Sequence, residues 1–75
     1  MTRRYVYHIE YKAWANGATK SVDVVAHTKA EAYDVAFYES IPAIEGELPY
    51  SAWVVSVTYR NGNCHQFNTS EGNAY

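Results

Sequence analysis

Apolar and polar positions alternate from the start of the chain. Tyr5, Tyr7, Ile9, Tyr11 and Ala13 occupy the odd positions, while Arg4, Val6, His8, Glu10, Lys12 and Trp14 occupy the even ones. A period of two marks a half-buried strand with one face turned inward. A second alternation runs from Lys20 to His27, with Val22, Val24 and Ala26 on one side and Ser21, Asp23, Val25 and His27 on the other. Between the two lies Asn16-Gly17. Asn-Gly is the strongest short-range hairpin signal, because a two-residue type I′ loop needs positive φ at both central positions. Such a loop places Tyr11 opposite Val22, Ile9 opposite Val24 and Tyr7 opposite Ala26, all on the apolar face. A slip of one residue would turn every one of these side chains to the other face.

Thr28-Lys29-Ala30-Glu31 has the form of a capping box, in which the Thr hydroxyl accepts from the Glu31 N–H and Glu31 reaches back. The spacing predicts a helix over about 29–40, stopped by Pro42, which disfavours helical geometry at Ile41. Ala32 and Ala36 face the sheet, and a buried stripe centred near Tyr33 rather than Val35 leaves Glu31, Asp34 and Glu39 outside. Residues 42–51 hold both prolines and Gly46 and read as a returning loop. A third strand follows over about 52–60, with Trp53, Val55, Val57 and Tyr59 on one face and Ala52, Val54, Ser56, Thr58 and Arg60 on the other. Asn61-Gly62 then turns the chain into a fourth strand, about 63–68. A strict two-residue loop sets Phe67 opposite Ser56, whereas a longer loop with a bulge at Gly62 pairs it with Val57. Burying a Phe is worth roughly 1.5–3 kcal/mol, which favours the bulged form. The polar tail over 69–75 is expected to fray.

These elements predict one α+β domain over residues 1–75: a four-stranded antiparallel sheet of two hairpins (strands about 4–15, 19–27, 52–60 and 63–68) with one helix packed on one face, in ββαββ order. The chain has 75 residues, too few to close a second core. It is 48% hydrophobic and 19% charged, the balance of a globular domain rather than a disordered one. Eight tyrosines and two tryptophans suit half-buried sheet faces and binding interfaces alike.

A net charge of −2 is neither the basic footprint of a phosphate-tracking protein nor the strong acidity of a nucleic-acid mimic. The single cysteine, Cys64, excludes an intramolecular disulfide and fits a cytoplasmic setting. No uninterrupted apolar run follows Arg3-Arg4, so neither a signal peptide nor a membrane partner is expected.

Chemistry-bearing clusters are few. His8, Glu10, Asp23 and His27 share the polar face of the first hairpin, where the two-residue loop sets Glu10 opposite Asp23. Like charges so placed repel. Either a cation joins the two carboxylates and two imidazoles, or Lys12 and Arg4 neutralise them in water; no metal or other cofactor is assigned. Cys64 and His65 are sequence neighbours, so on a strand they point to opposite faces and cannot form a thiolate–imidazole pair. A partly buried thiol beside a surface histidine is the expectation there. With no phosphate loop, hydrolase elbow or paired cysteines, the domain reads as a non-enzyme.

The layout of two Asn-Gly hairpins around a capped, Ala-rich helix resembles small phage and mobile-element proteins of the anti-CRISPR type. The residues that carry the likeness are Thr28-Lys29-Ala30-Glu31-Ala32 with Ala36, then Trp53-Val54-Val55-Ser56-Val57 and Asn61-Gly62. It is a likeness of architecture over nearly the whole chain. It implies a stoichiometric inhibitor that covers the surface of a host defence complex such as a CRISPR effector. The residues by themselves point to a small module acting by protein–protein contact; the resemblance implies that its partner is a host or effector complex. Its site would lie on the open face, with Trp14 as apolar anchor, Arg4 and Lys12 as charged contacts, and His8 and Glu10 between them. Single-stranded nucleic-acid binding on that face, and self-association through the sheet, are the alternatives.

Overall fold

The computed structural model describes residues 3–67. Four strands form one antiparallel sheet: β1 (Tyr5–Lys12), β2 (Thr19–Ala26), β3 (Ser51–Thr58) and β4 (Cys64–Gln66), in the order β2-β1-β3-β4. A helical rod connects β2 to β3 across one face. It comprises α1 (Lys29–Val35), a π turn (Ala36–Ser40) and α2 (Ile41–Glu45). The expected α+β class, with two hairpins and a covering helix, is therefore present. The strand order makes β1 a central strand, paired on both sides.

The hairpin register differs from the expected one by two residues. Tyr5 pairs with Ala26, Tyr7 with Val24, Ile9 with Val22 and His8 with Asp23. A shift of two leaves every side chain on its predicted face, so the inward set is retained. Ala13–Ala18 form a longer loop, and among the described glycines only Gly46 and Gly62 adopt positive φ. Asn16-Gly17 is thus not a type I′ turn. The Gly17 N–H instead donates to the Trp14 carbonyl at 2.9 Å. The physical gain lies on the polar face: Asp23 meets His8 rather than Glu10, exchanging a like-charge pair for an attractive one.

The helix begins as its capping residues dictate. Thr28 Oγ1 accepts from the Glu31 N–H at 3.0 Å. The Glu31 carboxylate reaches back one residue further than a capping box requires, to the His27 N–H at 3.2 Å and to His27 Nδ1 at 3.0 Å.

The predicted stop at Ile41 does not occur. In an α-helix Pro42 would lack its hydrogen bond and press its ring on the carbonyl four residues back. The π turn widens the rod just there, with the Ile41 N–H bonded to the Ala36 carbonyl, and Pro42 enters as a first-turn residue of α2. The rod ends at Gly46, whose φ of 86° supplies the left-handed cap. The buried helical residues are Ala32, Ala36 and Ile41. Their spacing of four and then five holds one face toward the sheet, because the wider turn takes up the extra residue. Tyr33, Val35 and Phe37 all pack partly buried beside them, so neither expected stripe centre excludes the other. Asp34 and Glu39 are exposed, as expected.

β3 departs from simple alternation. Its pairing with β1 shifts at His8/Ile9, leaving Val55 as the extra residue of a bulge. Before the bulge, Ala52 and Val54 pair with Tyr11 and Ile9; after it, Val57 pairs with Tyr7. Ala52, Val54 and Val57 therefore join one core with Tyr7, Ile9, Tyr11, Val24 and Ala26. Trp53 goes to the opposite face, beside Glu10. The expected grouping of Trp53 with Val57, and of Val54 with Ser56, is corrected by that one residue.

In the second hairpin Gly62, at φ 93°, carries the expected positive angle. The loop is Arg60-Asn61-Gly62, and it pairs Val57 with His65 rather than with Phe67. Phe67 bonds the Val55 carbonyl through its N–H at 2.8 Å and still packs against the core, so the burial argument held while the partner did not. The expectation for the tail over 69–75 lies outside the described residues.

Candidate functional site

On the face of β1 away from the helix, the polar side chains are engaged with their neighbours. His8 Nδ1 lies 2.6 Å from Asp23 Oδ1 and its Nε2 lies 3.0 Å from Thr58 Oγ1. Glu10 accepts from Trp53 Nε1 at 3.2 Å. Arg4 Nε sits 3.5 Å from His27 Nε2, and the other ring nitrogen of His27 faces Glu31. That hydrogen bond, with lesser help from the charges of His27 and Arg4, holds the Glu31 carboxyl below its usual range. The four groups weighed as a cation site are thus divided among three separate partnerships. Among the described residues no group of three or more His, Cys, Asp or Glu side chains is placed to hold a metal ion. Trp53 and Ser56 are each 4% exposed, so this face is neither wholly polar nor wholly solvated.

The site expected from Arg4, His8, Glu10, Lys12 and Trp14 does not form one patch. Trp14 lies in the loop beyond the end of β1, and Arg4 lies before its beginning. The eight residues of the strand span roughly 25 Å and hold the two apart. Cys64 is exposed rather than partly buried and receives a weak contact from Gln66 Nε2 at 3.7 Å. His65 lies on the other face, as expected from alternation, with its ring 5.2 Å from that of Phe67.

Trp14 is instead part of a second arrangement. The loop that carries it, the end of α2 and the loop entering β3 all meet at one end of the sheet. The Tyr50 N–H donates to the Lys12 carbonyl at 2.8 Å, and Ser51 pairs with Lys12. At the same end Tyr11 donates its hydroxyl to Glu45 Oε2 at 2.7 Å, and Lys20 Nζ closes on the same oxygen at 3.1 Å. Burial, and then this bond to Glu45, push the Tyr11 phenol up to about 12. The bond from Tyr11, followed by that from Lys20, lowers Glu45.

Around this fixed corner four large apolar side chains stand in water: Trp14 (58% exposed), Ile44 (63%), Leu48 (53%) and Tyr50 (64%). The indole of Trp14 lies over Gly17, where an added Cβ would stand 3.2 Å from the ring and 3.1 Å from the Trp14 carbonyl. A side chain at position 17 would press on the ring and the carbonyl, shifting them by a few tenths of an ångström. Ile44, Leu48 and Tyr50 were missed as candidates. Their signal was present: three large apolar residues in a Pro- and Gly-rich segment where no period of two or 3.6 claims them.

Comparison with known proteins identifies no matching family model, no matching curated protein and no matching solved structure. No helix among the described residues is long and apolar enough to cross a membrane.

Proposed function

We propose that this domain is a non-catalytic binding module that docks on a protein partner through the apolar end built from Trp14, Ile44, Leu48 and Tyr50. One observation carries the reading: four large apolar side chains, each more than half exposed, share an end where the loop entering β3 is tied to β1 by the bond from the Tyr50 N–H to the Lys12 carbonyl. Exposed apolar side chains gathered at one end of a domain are a mark of interaction sites. Trp and Tyr are the residues that most often dominate interface energetics, and a Trp seated on Gly17 and a Tyr tied to β1 lose little freedom on binding. In the form that the likeness to anti-CRISPR proteins implies, the partner is a cytoplasmic host defence complex and the domain its stoichiometric inhibitor.

The test is capture of partners from nuclease-treated bacterial lysate by the wild-type domain and by Trp14→Ala. Recovery of one protein complex at near-stoichiometric yield by the wild type, reduced more than about tenfold for the variant, supports the reading. Equal recovery by both removes this end from consideration. Self-association is the second outcome to watch. With β1 inside the sheet, edge pairing would run through β2, where Lys20 and Asp23 oppose it, or through the three-residue β4.

A further inference from the structure

The opposite end of the sheet has a different chemistry. All three arginines of the chain, Arg3, Arg4 and Arg60, lie there, before β1 or just beyond β3. Arg3, Tyr5, Tyr59, Arg60 and Asn61 line an open cleft of about 360 Å³. No carboxylate lines it, and neither Arg3 nor Arg60 has an ion-pair partner among the described residues. In a chain of net charge −2, two uncompensated guanidinium groups in one cleft constitute a local reversal of sign. Arg presents a planar fork that matches phosphate oxygens and stacks on aromatic rings.

The aromatic floor is fixed. The Tyr5 and Tyr59 rings meet edge to face, with centroids 5.1 Å apart and planes at 81°, and Tyr59 remains 39% exposed. The Asn61 carbonyl oxygen is already used by the Asn63 N–H at 3.0 Å. Its amide NH₂ is therefore the group left to face a ligand, as a donor. The volume falls near the lower bound of ligand sites, about 300–1,000 Å³, and suits one planar group with one anion.

We infer that this cleft binds a nucleotide, its phosphate held by Arg3 and Arg60, its base stacked on Tyr59 and met at an acceptor edge by Asn61. The ligand is either a free mononucleotide or one nucleotide of a single strand, and the chemistry is common to both. Stacking on tyrosine beside arginine is a usual way of holding an unpaired base. The cleft lies at the far end from Trp14 and does not depend on the docking proposal.

The experiment is fluorescence polarisation of a fluorescein-labelled hexathymidylate, with thymidine monophosphate and inorganic phosphate as competitors. Saturable binding is expected, weakened about tenfold by Arg3→Ala or Arg60→Ala, the loss of one charge-assisted contact. Tyr59→Leu should weaken it similarly, while Trp14→Ala leaves it unchanged. Losing one arginine contact should also flatten the logarithmic salt dependence by about 0.7. Mononucleotide that competes as well as hexanucleotide assigns the free ligand; hexanucleotide far tighter than mononucleotide assigns the strand. Three outcomes overturn the inference: no saturable binding by the wild type, binding indifferent to Arg3, Arg60 and Tyr59 in variants with native circular dichroism, or competition by inorganic phosphate equal to that by the mononucleotide.

Discussion

The two ends of this sheet are built from the same materials, tyrosine and short loops, and they arrive at opposite surfaces. At the Trp14 end Lys20 and Tyr11 both converge on Glu45, and large apolar groups are left outside. At the Arg60 end the Tyr5 and Tyr59 rings brace each other edge to face, Tyr59 stays partly open, and the arginine charges are left outside. What a surface offers is set by which groups the fold has already satisfied, not by which it contains. Composition reports a weakly acidic, Tyr-rich chain; pairing divides it into an apolar pole and a cationic one.

The strongest way to break this comparison is at the apolar pole. Replacing Trp14 and Tyr50 together with Ala should lower partner capture about a hundredfold, as for the loss of two hot-spot side chains. Thermal unfolding and nucleotide binding should stay as in the wild type. Loss of both activities together would mean the two ends are one site. Gly17→Ala probes the same pole without deleting a contact group. The added methyl shifts the indole by a few tenths of an ångström, and partner affinity should fall less than for Trp14→Ala, by about twofold to threefold. Surface plasmon resonance against the captured partner reads it.

At the cationic pole Gly62 at φ 93° holds the loop that carries Arg60 and Asn61. Gly62→Ala should cost about 1 kcal/mol in denaturant unfolding, the penalty of a left-handed residue with a side chain, and should weaken nucleotide binding more than partner capture.

The smallest effects come from pH, and they centre on different groups at the two poles. Glu31 and Glu45 are both lowered in the fold. Their stabilisation is complete above the usual Glu value of 4.5 and is lost as pH falls through the lowered native values. Tyr11 is raised from 10.0 to about 12, so its contribution is complete below 10 and lost as pH climbs toward 12. Tyr7 is raised too, by burial first and then by Tyr59, Tyr5 and Glu31. Amide exchange should therefore quicken in acid and in alkali at both poles, the alkaline change at the Trp14 end centring on Tyr11, Lys20 and Glu45. No alkaline change around Tyr11, Lys20 and Glu45 would show that the corner at Glu45 holds nothing locally.

Much of the fold was legible in the sequence because alternation and capping are local. The inward faces of β1 and β2, the Thr28 cap and the positive φ of Gly62 follow from residues a few positions apart. Three features were not legible, and each is a change of phase by whole residues. The first hairpin slips by two, which alternation cannot detect, since it preserves every face. It brings His8 opposite Asp23, a contact between strands. The bulge at Val55 moves Val57 to the core because Tyr7 lies opposite; nothing in Trp53-Val54-Val55-Ser56 says which residue is extra. Pro42 was read by the rule for α-helices, and the fold met it with a wider turn. The candidate site suffered most. Facing was inferred for each residue along β1, but which end of the sheet a loop residue reaches depends on strand order, and that is nonlocal.

The π turn also bears on the chain's tolerance of changed length. The turn holds one residue more than α geometry would need to carry Ala32, Ala36 and Ile41 on one face. The rod thus behaves as a regular helix that has absorbed an insertion, the surplus being placed among exposed Tyr38 and Glu39. Deleting Glu39 while replacing Pro42 with Ala would bring Ile41 four residues after Ala36. An uninterrupted α-helix would then present the same buried residues, with Glu45 still one turn beyond Ile41. The segment between the sheet's two halves is in this sense a spacer with two permitted lengths, and Pro42 decides which one the chain uses.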